Sequence, residues 1–221
     1  MIQKTSRVLA LVLALAVAAP MVHSSTAFAA KKKTSKKKDT KKKAAKSDDG
    51  GGGKHPKVKI STSMGDITVE LDREKAPVSV KNFLAYVDKK HYDNTIFHRV
   101  ISSFMIQGGE YDKSMKDKPC GEPIKNEGGN GLKNTTGTLA MARTNVVDSA
   151  TCQFFINTKD NAFLDHRDET PQGFGYAVFG HVTSGIEVVH KIEAVATGSK
   201  DGMADVPNDP VIIKSVRLLK I

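Results

Sequence analysis

Residues 97–109 read Phe97-His98-Arg99-Val100-Ile101-Ser102-Ser103-Phe104-Met105-Ile106-Gln107-Gly108-Gly109. Two β runs, 95–101 and 104–107, flank a Ser102-Ser103 turn. Strand alternation places Phe97, Arg99 and Ile101 on one face and His98 and Val100 on the other. An arginine in register with buried-type residues needs a partner, because an unsatisfied charge away from water is costly. Taken alone, that suits a structural Arg paired with a carboxylate. The aromatic, Met and Gln that follow it suggest more than packing.

A second stretch shares this character. Gly137-Thr138-Leu139-Ala140-Met141-Ala142-Arg143-Thr144 leads through Asp148-Ser149-Ala150 to Gln153-Phe154-Phe155-Ile156-Asn157. A Gln again stands beside aromatics. The small residues Ala140, Ala142 and Ala150 suggest close approach of another group.

Around these stretches the pattern is mostly β. Val58 and Ile60, then Ile67, Val69 and Leu71, alternate with polar residues across a turn at Met64-Gly65, which reads as a hairpin. Pro77 opens a helix in which Val80, Phe83, Leu84 and Val87 share one face. Further strands are expected at 138–141, 153–157, 176–182 and 211–220. A second helix is expected over 185–195, with Val188, Ile192 and Val195 on one side, and a Gly/Asn-rich loop over 112–134. Eight or so short strands with two separated helices predict a mainly β fold, a closed antiparallel barrel capped by helices. Closure removes exposed strand edges.

The 221-residue chain divides by composition. Lys4 and Arg7 precede an apolar run over residues 8–19, too short for a membrane span of roughly 20 residues. Ala27-Phe28-Ala29 offers small residues at the −3 and −1 positions, so residues 1–29 read as a signal peptide cleaved after Ala29. Residues 30–53 read as a disordered Lys-rich tail and Gly linker, and 54–221 as the folded domain. Residues 31–49 hold ten Lys and three Asp, a net of +7, and Lys4 and Arg7 bring two more. Of the chain's +10, about +1 is left from Gly50 onward, so the domain has no electrostatic footprint for nucleic acid. The tail has the charge to contact an anionic surface, although a solvated linker is the simpler reading. Cys120 and Cys152 match neither zinc spacing nor Cys-x-x-Cys. A disulfide between them is permitted in an oxidising compartment but not demanded. Asn134-Thr135-Thr136 fits a glycosylation sequon.

The motifs FHRVISSFMIQGG (97–109), GTLAMART (137–144) and QFFIN (153–157), with NAFLDH (161–166) and FGYAVFG (174–180), resemble the cyclophilin family in order and spacing over 57–221. NAFLDH and GYAVFG are similar to its exported bacterial branch. The resemblance implies an eight-stranded antiparallel barrel capped by two α-helices, and peptidyl-prolyl cis-trans isomerisation with no cofactor and no metal. It implies Arg99 as the catalytic guanidinium and Phe104, Met105, Phe155 and Leu164 as the apolar pocket for the proline ring. Gln107 and Gln153 would bind substrate backbone, Ala142 and the backbone at Arg143 would line the groove, and Phe163 and Tyr176 would close the rim. His98 would be a structural or substrate-orienting side chain. Many relatives carry Trp where Phe163 stands, His where Tyr176 stands and Asn where Arg143 stands. Phe lacks the indole N–H donor, so weak cyclosporin binding is expected.

The expected partners are proline-containing unfolded or partly folded polypeptides, met by a monomer in a periplasm or outside the cell. The rival reading is a chaperone that holds proline segments with little turnover. Retention of the guanidinium favours the enzyme.

Overall fold

Strand β1 (Lys57–Thr62) turns at Ser63-Met64 into β2 (Gly65–Leu71), with Thr62 paired to Gly65. The turn thus falls one residue earlier than the sequence suggests, and Thr62 Oγ1 fixes it by donating to the Gly65 carbonyl at 2.7 Å. The computed structural model describes residues 53–220. The expected signal peptide and Lys-rich tail lie outside the described residues.

After β2 come α1 (Pro77–Asp88), β3 (Thr95–Ile101), β4 (Met105–Asp112), β5 (Thr138–Met141), β6 (Phe154–Asn157), β7 (Val178–Ser184), α2 (Ile186–Glu193), β8 (Thr197–Lys200), β9 (Met203–Pro207) and β10 (Val211–Leu218). Eight strands close in the order β1-β10-β3-β4-β6-β5-β7-β2, every neighbouring pair antiparallel. The expected barrel with two helices is the architecture found. Proline at the first turn of α1 suits a position whose N–H has no helical partner. The cap comes from far away. Glu127 accepts from Val78 N at 3.0 Å and from Ser79 N at 2.8 Å, a long-range contact that no local pattern announces.

The barrel interior is apolar. Phe83 of α1 enters it and meets the rings of Tyr92, Phe154 and Phe179 at centroid distances of 5.0, 5.5 and 5.3 Å. Val188, Val189 and Ile192 bury the inner face of α2; Val195 lies beyond that helix and is partly buried. Strand β4 runs past the expected 104–107 because Gly108 permits close packing. A Cβ there would lie 2.8 Å from the Ile96 carbonyl oxygen.

Two findings correct the sequence reading. First, Phe97, Arg99 and Ile101 do not share a face. Phe97 pairs with Gly108 and Arg99 with Gln107, so β3 carries an extra residue at His98. This bulge shifts the alternation, and Phe97 and Val100 both enter the core while Arg99 points out. Second, β8 and β9 form a separate two-stranded sheet. Every residue of β8 is exposed, so it lacks the apolar alternation used to find strands. The Asp201-Gly202 turn, with φ of 51° and 81°, is the hairpin signal that was there to be read. Cys120 and Cys152, left open by the sequence, are joined as a disulfide.

Candidate active site

The wall that carries the core on its inside carries a second, smaller apolar cluster outside. Met105, Ala140, Phe155, Leu164 and Val178 form it, with Phe104, Ala142 and Tyr176 packed against its edge. Register explains the split. In β4, Met105 and Gln107 alternate with Ile106 and Gly108; in β6, Phe155 alternates with Phe154 and Ile156.

A pocket of about 100 Å³ opens on this face, lined by Arg99, Phe104, Met105, Gln107, Ala142, Arg143, Phe155, Leu164 and Tyr176. Nine residues singled out from sequence thus meet at one place. Gln153 stands in the adjoining groove of about 300 Å³, with Glu110, Thr144, Ser149 and Thr151. Phe163 is 62 % exposed and stacks on Phe104 with centroids 5.6 Å apart. His98 does not reach the pocket. It is buried against Tyr111, with ring centroids 4.8 Å apart. Burial, and then the neighbouring Arg99 charge, push its pKa down to about 4.

Arg99 leaves the barrel wall at the bulge and crosses toward the β8–β9 hairpin. Its Nε lies 3.6 Å from Asp205 Oδ2, with both side chains partly exposed. The Asp205 backbone is left-handed, at φ 63°. Nothing in the sequence pairs these residues; the hairpin delivers the carboxylate.

The glutamines form a directed chain. Gln107 Nε2 donates to Gln153 Oε1 at 2.6 Å, and Gln153 Nε2 donates to the Glu110 carboxylate. Both ends of the Gln153 amide are engaged within this chain, which leaves the Gln107 carbonyl oxygen as the acceptor at the pocket. Burial pushes the Glu110 carboxyl up, opposed by the Gln153 hydrogen bond.

Arg143 does more than line a groove with its backbone. Its guanidinium donates to the carbonyls of Gly175 at 2.9 Å, Thr144 at 2.9 Å and Pro171 at 2.7 Å, and lies 4.8 Å over the Tyr176 ring. The side chain staples the 171–176 loop to the pocket.

Asn134, Asn157 and Asn161 are all buried and were missed as site residues. Asn161 Nδ2 donates to Asn157 Oδ1 at 2.7 Å and to the Phe104 carbonyl at 2.8 Å. Asn157 Nδ2 donates to Asn134 Oδ1 at 3.2 Å, and Asn134 Nδ2 donates to the Leu164 carbonyl at 3.2 Å. One polar network therefore fixes the backbone under two pocket walls. Its burial also removes the glycosylation reading of Asn134, whose 1 % exposure leaves no room for a sugar.

Residues 57–218 match the family described as cyclophilin type peptidyl-prolyl cis-trans isomerase/CLD. The chain belongs to this family. It is 57% identical over 162 residues to peptidyl-prolyl cis-trans isomerase cyp18 of Streptomyces antibioticus, covering 73% of this chain and 98% of that protein. It is 56% identical over 159 residues to peptidyl-prolyl cis-trans isomerase B of Escherichia coli (strain K12), covering 72% and 97%. A crystal structure of a Cryptosporidium parvum cyclophilin type peptidyl-prolyl cis-trans isomerase superposes with a TM-score of 0.62 at 28% identity, over 76% of this chain and 99% of that one. The protein is accordingly a cyclophilin-type peptidyl-prolyl cis-trans isomerase, and its substrates are proline-containing peptides.

Asp205 and the asparagine network are what motif reading of this cyclophilin missed. Asn134 and Asn161 look like ordinary loop polarity and Asn157 like the polar end of a strand, and only the fold shows that all three are buried. For Asp205, the hairpin turn at Asp201-Gly202 was the available clue.

Proposed function

We propose that this cyclophilin accelerates X-Pro isomerisation during the folding of exported proteins, with Arg99 as the catalytic group. The reading of export rests on the charged start, the apolar run and Ala27-Phe28-Ala29. The observation that carries the catalytic assignment is the placement of the Arg99 guanidinium at the lip of an apolar pocket walled by Phe104, Met105, Phe155 and Leu164.

The chemistry follows from amide electronics. Rotation about the C–N bond faces a barrier of about 18–20 kcal/mol because resonance is lost midway. No bond breaks, so neither nucleophile nor base is required; the twisted amide must be bound better than either planar form. In the twisted state the prolyl nitrogen regains its lone pair. Arg99, tethered through Nε to Asp205, aims its terminal nitrogens at that lone pair and opposes renewed conjugation. The apolar walls hold the ring, and the Gln107 carbonyl oxygen accepts from a flanking substrate N–H. The hydrogen-bonded chain from Gln107 through Gln153 to the Glu110 carboxylate holds that acceptor rigid while the carbonyl side swings. Phe163 and Tyr176 close the rim, with Phe163 offering no indole donor to cyclosporin.

The test is the cis-to-trans conversion of an Ala-Pro peptide, followed with the full chain and with Arg99→Ala. Rate loss with an unchanged circular dichroism spectrum supports the assignment. A wild-type protein that slows aggregation of a proline-rich client but leaves the isomerisation rate untouched would overturn it in favour of a holding chaperone. Fractionation of the native host checks export, and a full-length, uncleaved cytoplasmic protein would remove that part.

A further inference from the structure

Among the described residues, one cluster of metal-ligating side chains lies outside the substrate pocket. The donor atoms of His91, Cys120 and Cys152 all lie within 4.8 Å of one another. Cys152 is wholly buried, while His91 and Cys120 are partly exposed, so the group is reached from one side. His91 Nε2 stands 4.0 Å from Cys120 Sγ. The His91 ring is wedged between Tyr86 and Tyr92, with centroids 4.8 and 5.5 Å away. The Tyr92 hydroxyl in turn donates to the Cys152 carbonyl at 3.0 Å.

We propose that reduction of the Cys120–Cys152 disulfide turns this cluster into a three-ligand site for a borderline or soft transition cation such as zinc. Disulfide and metal-bound forms are then alternative states of one site. In the redox step a dithiol reductant attacks one sulfur and the S–S bond breaks. Two electrons and two protons pass to the cysteines, and the reductant leaves as its own disulfide. Metal binding then displaces the two thiol protons.

The geometry is suited to this. Tetrahedral zinc has Zn–S bonds of about 2.3 Å and Zn–N bonds of about 2.0–2.1 Å, which set N and S roughly 3.6 Å apart and two S roughly 3.8 Å apart. The observed Nε2–Sγ separation of 4.0 Å is a few tenths from the first figure. The second needs only that the freed sulfurs swing apart, from Cα atoms 5.6 Å from each other. Nε2 now approaches the Gly109 carbonyl at 3.0 Å; on ligation the ring proton resides on Nδ1 and water takes the fourth position. Two thiolates and one imidazole make a donor set that selects zinc, cobalt or cuprous ions over magnesium or calcium. The separations along the chain, 29 and 32 residues, match no zinc-finger spacing, so only the fold assembles the donors.

The experiment is titration of the full chain with cobalt(II), before and after reduction with a phosphine in the absence of oxygen. The reduced protein is expected to take one cobalt per chain, with thiolate-to-cobalt absorption and a tetrahedral visible band, both lost on adding zinc. The oxidised protein should show neither band. Cys120→Ser and His91→Ala, each checked for native circular dichroism, should weaken binding at least 10-fold. A reduced wild-type protein that unfolds, or that stays folded and shows no thiolate band, overturns the proposal. So does a band of unchanged strength in both variants. Isomerase activity is no part of the readout, so this test stands or falls apart from the catalytic assignment.

Discussion

The two sides of one barrel wall make different use of the same strands. Inside, Ile106, Leu139, Phe154 and Ile156 join a sealed core that Phe83 of α1 completes. Outside, Met105, Ala140 and Phe155 form a patch that opens to solvent through a pocket of about 100 Å³. Period-2 alternation creates both faces, and Phe83 of α1 seals only the inner one. An apolar face left open on a small domain is free to bind something apolar. Here it meets a guanidinium and a carbonyl acceptor at its edge, which is what distinguishes a site from a packing defect.

The comparison is tested most severely by adjacent residues that point opposite ways. Phe154→Ala empties a sealed space and should cost about 3–5 kcal/mol of stability by urea denaturation. Phe155→Ala opens into the pocket, where water can enter, and should cost roughly half as much. Its main effect should be a fall in kcat/KM of at least about 10-fold on an Ala-Pro peptide. Equal stability losses in the two variants would mean that the outer cluster is simply more core.

Arg99 marks where the two faces exchange, because the His98 bulge turns it outward. Arg99→Ala should lower kcat/KM by about 10²–10³-fold, the usual effect of removing one preorganised donor. The melting temperature should barely move, since the side chain is 44% exposed. Loss of stability in step with activity would return Arg99 to the structural role that its alternation first suggested.

How much of this was legible follows from where each signal resides. The barrel and its helices show in apolar alternation, and that covers β1, β2, β5 and both helices to within a residue or two. The pocket shows in motifs, because the substrate-facing residues are unusual side chains in an apolar setting. What was not legible depends on long-range geometry. The His98 bulge inverts half of β3, Glu127 caps α1 across 48 residues, and three asparagines, two in loops and one at the end of β6, turn out to be buried. Alternation assumes an unbroken ladder, so it could not anticipate that His98 is buried away from the pocket and that Phe97 and Arg99 part company.

His98 sharpens the same comparison through pH. Burial first, then the Arg99 charge, lower its pKa from 6.5 to about 4 in the folded protein. Between those values the unfolded chain binds a proton that the folded one refuses. The stability held above about pH 6.5 is therefore lost as pH falls toward 4, by about 3 kcal/mol in full. Carboxylates elsewhere in the chain titrate in this range too, so the informative quantity is the difference from His98→Leu. From pH 7 through 5 to 4 the wild-type urea midpoint should fall relative to that of the variant; parallel curves would show that the ring is solvated rather than held in the wall.

The smallest effect is expected at Asp205, and it separates positioning from structure most sharply. Its carboxylate reaches Arg99 Nε from a left-handed backbone that non-glycine residues adopt at a cost. Asp205→Gly removes the carboxylate and relieves that strain, so the melting temperature should hold or rise. Asp205→Asn keeps a residue that tolerates the left-handed region and removes only the charge. An exposed ion pair contributes up to about 1 kcal/mol, so both variants should lose kcat/KM about 2- to 5-fold. If the carboxylate orients the guanidinium toward the twisted amide, the loss falls on kcat and leaves KM nearly unchanged. If Asp205 merely braces the hairpin, Asp205→Asn should be silent in both constants, and any loss in Asp205→Gly should track its stability instead.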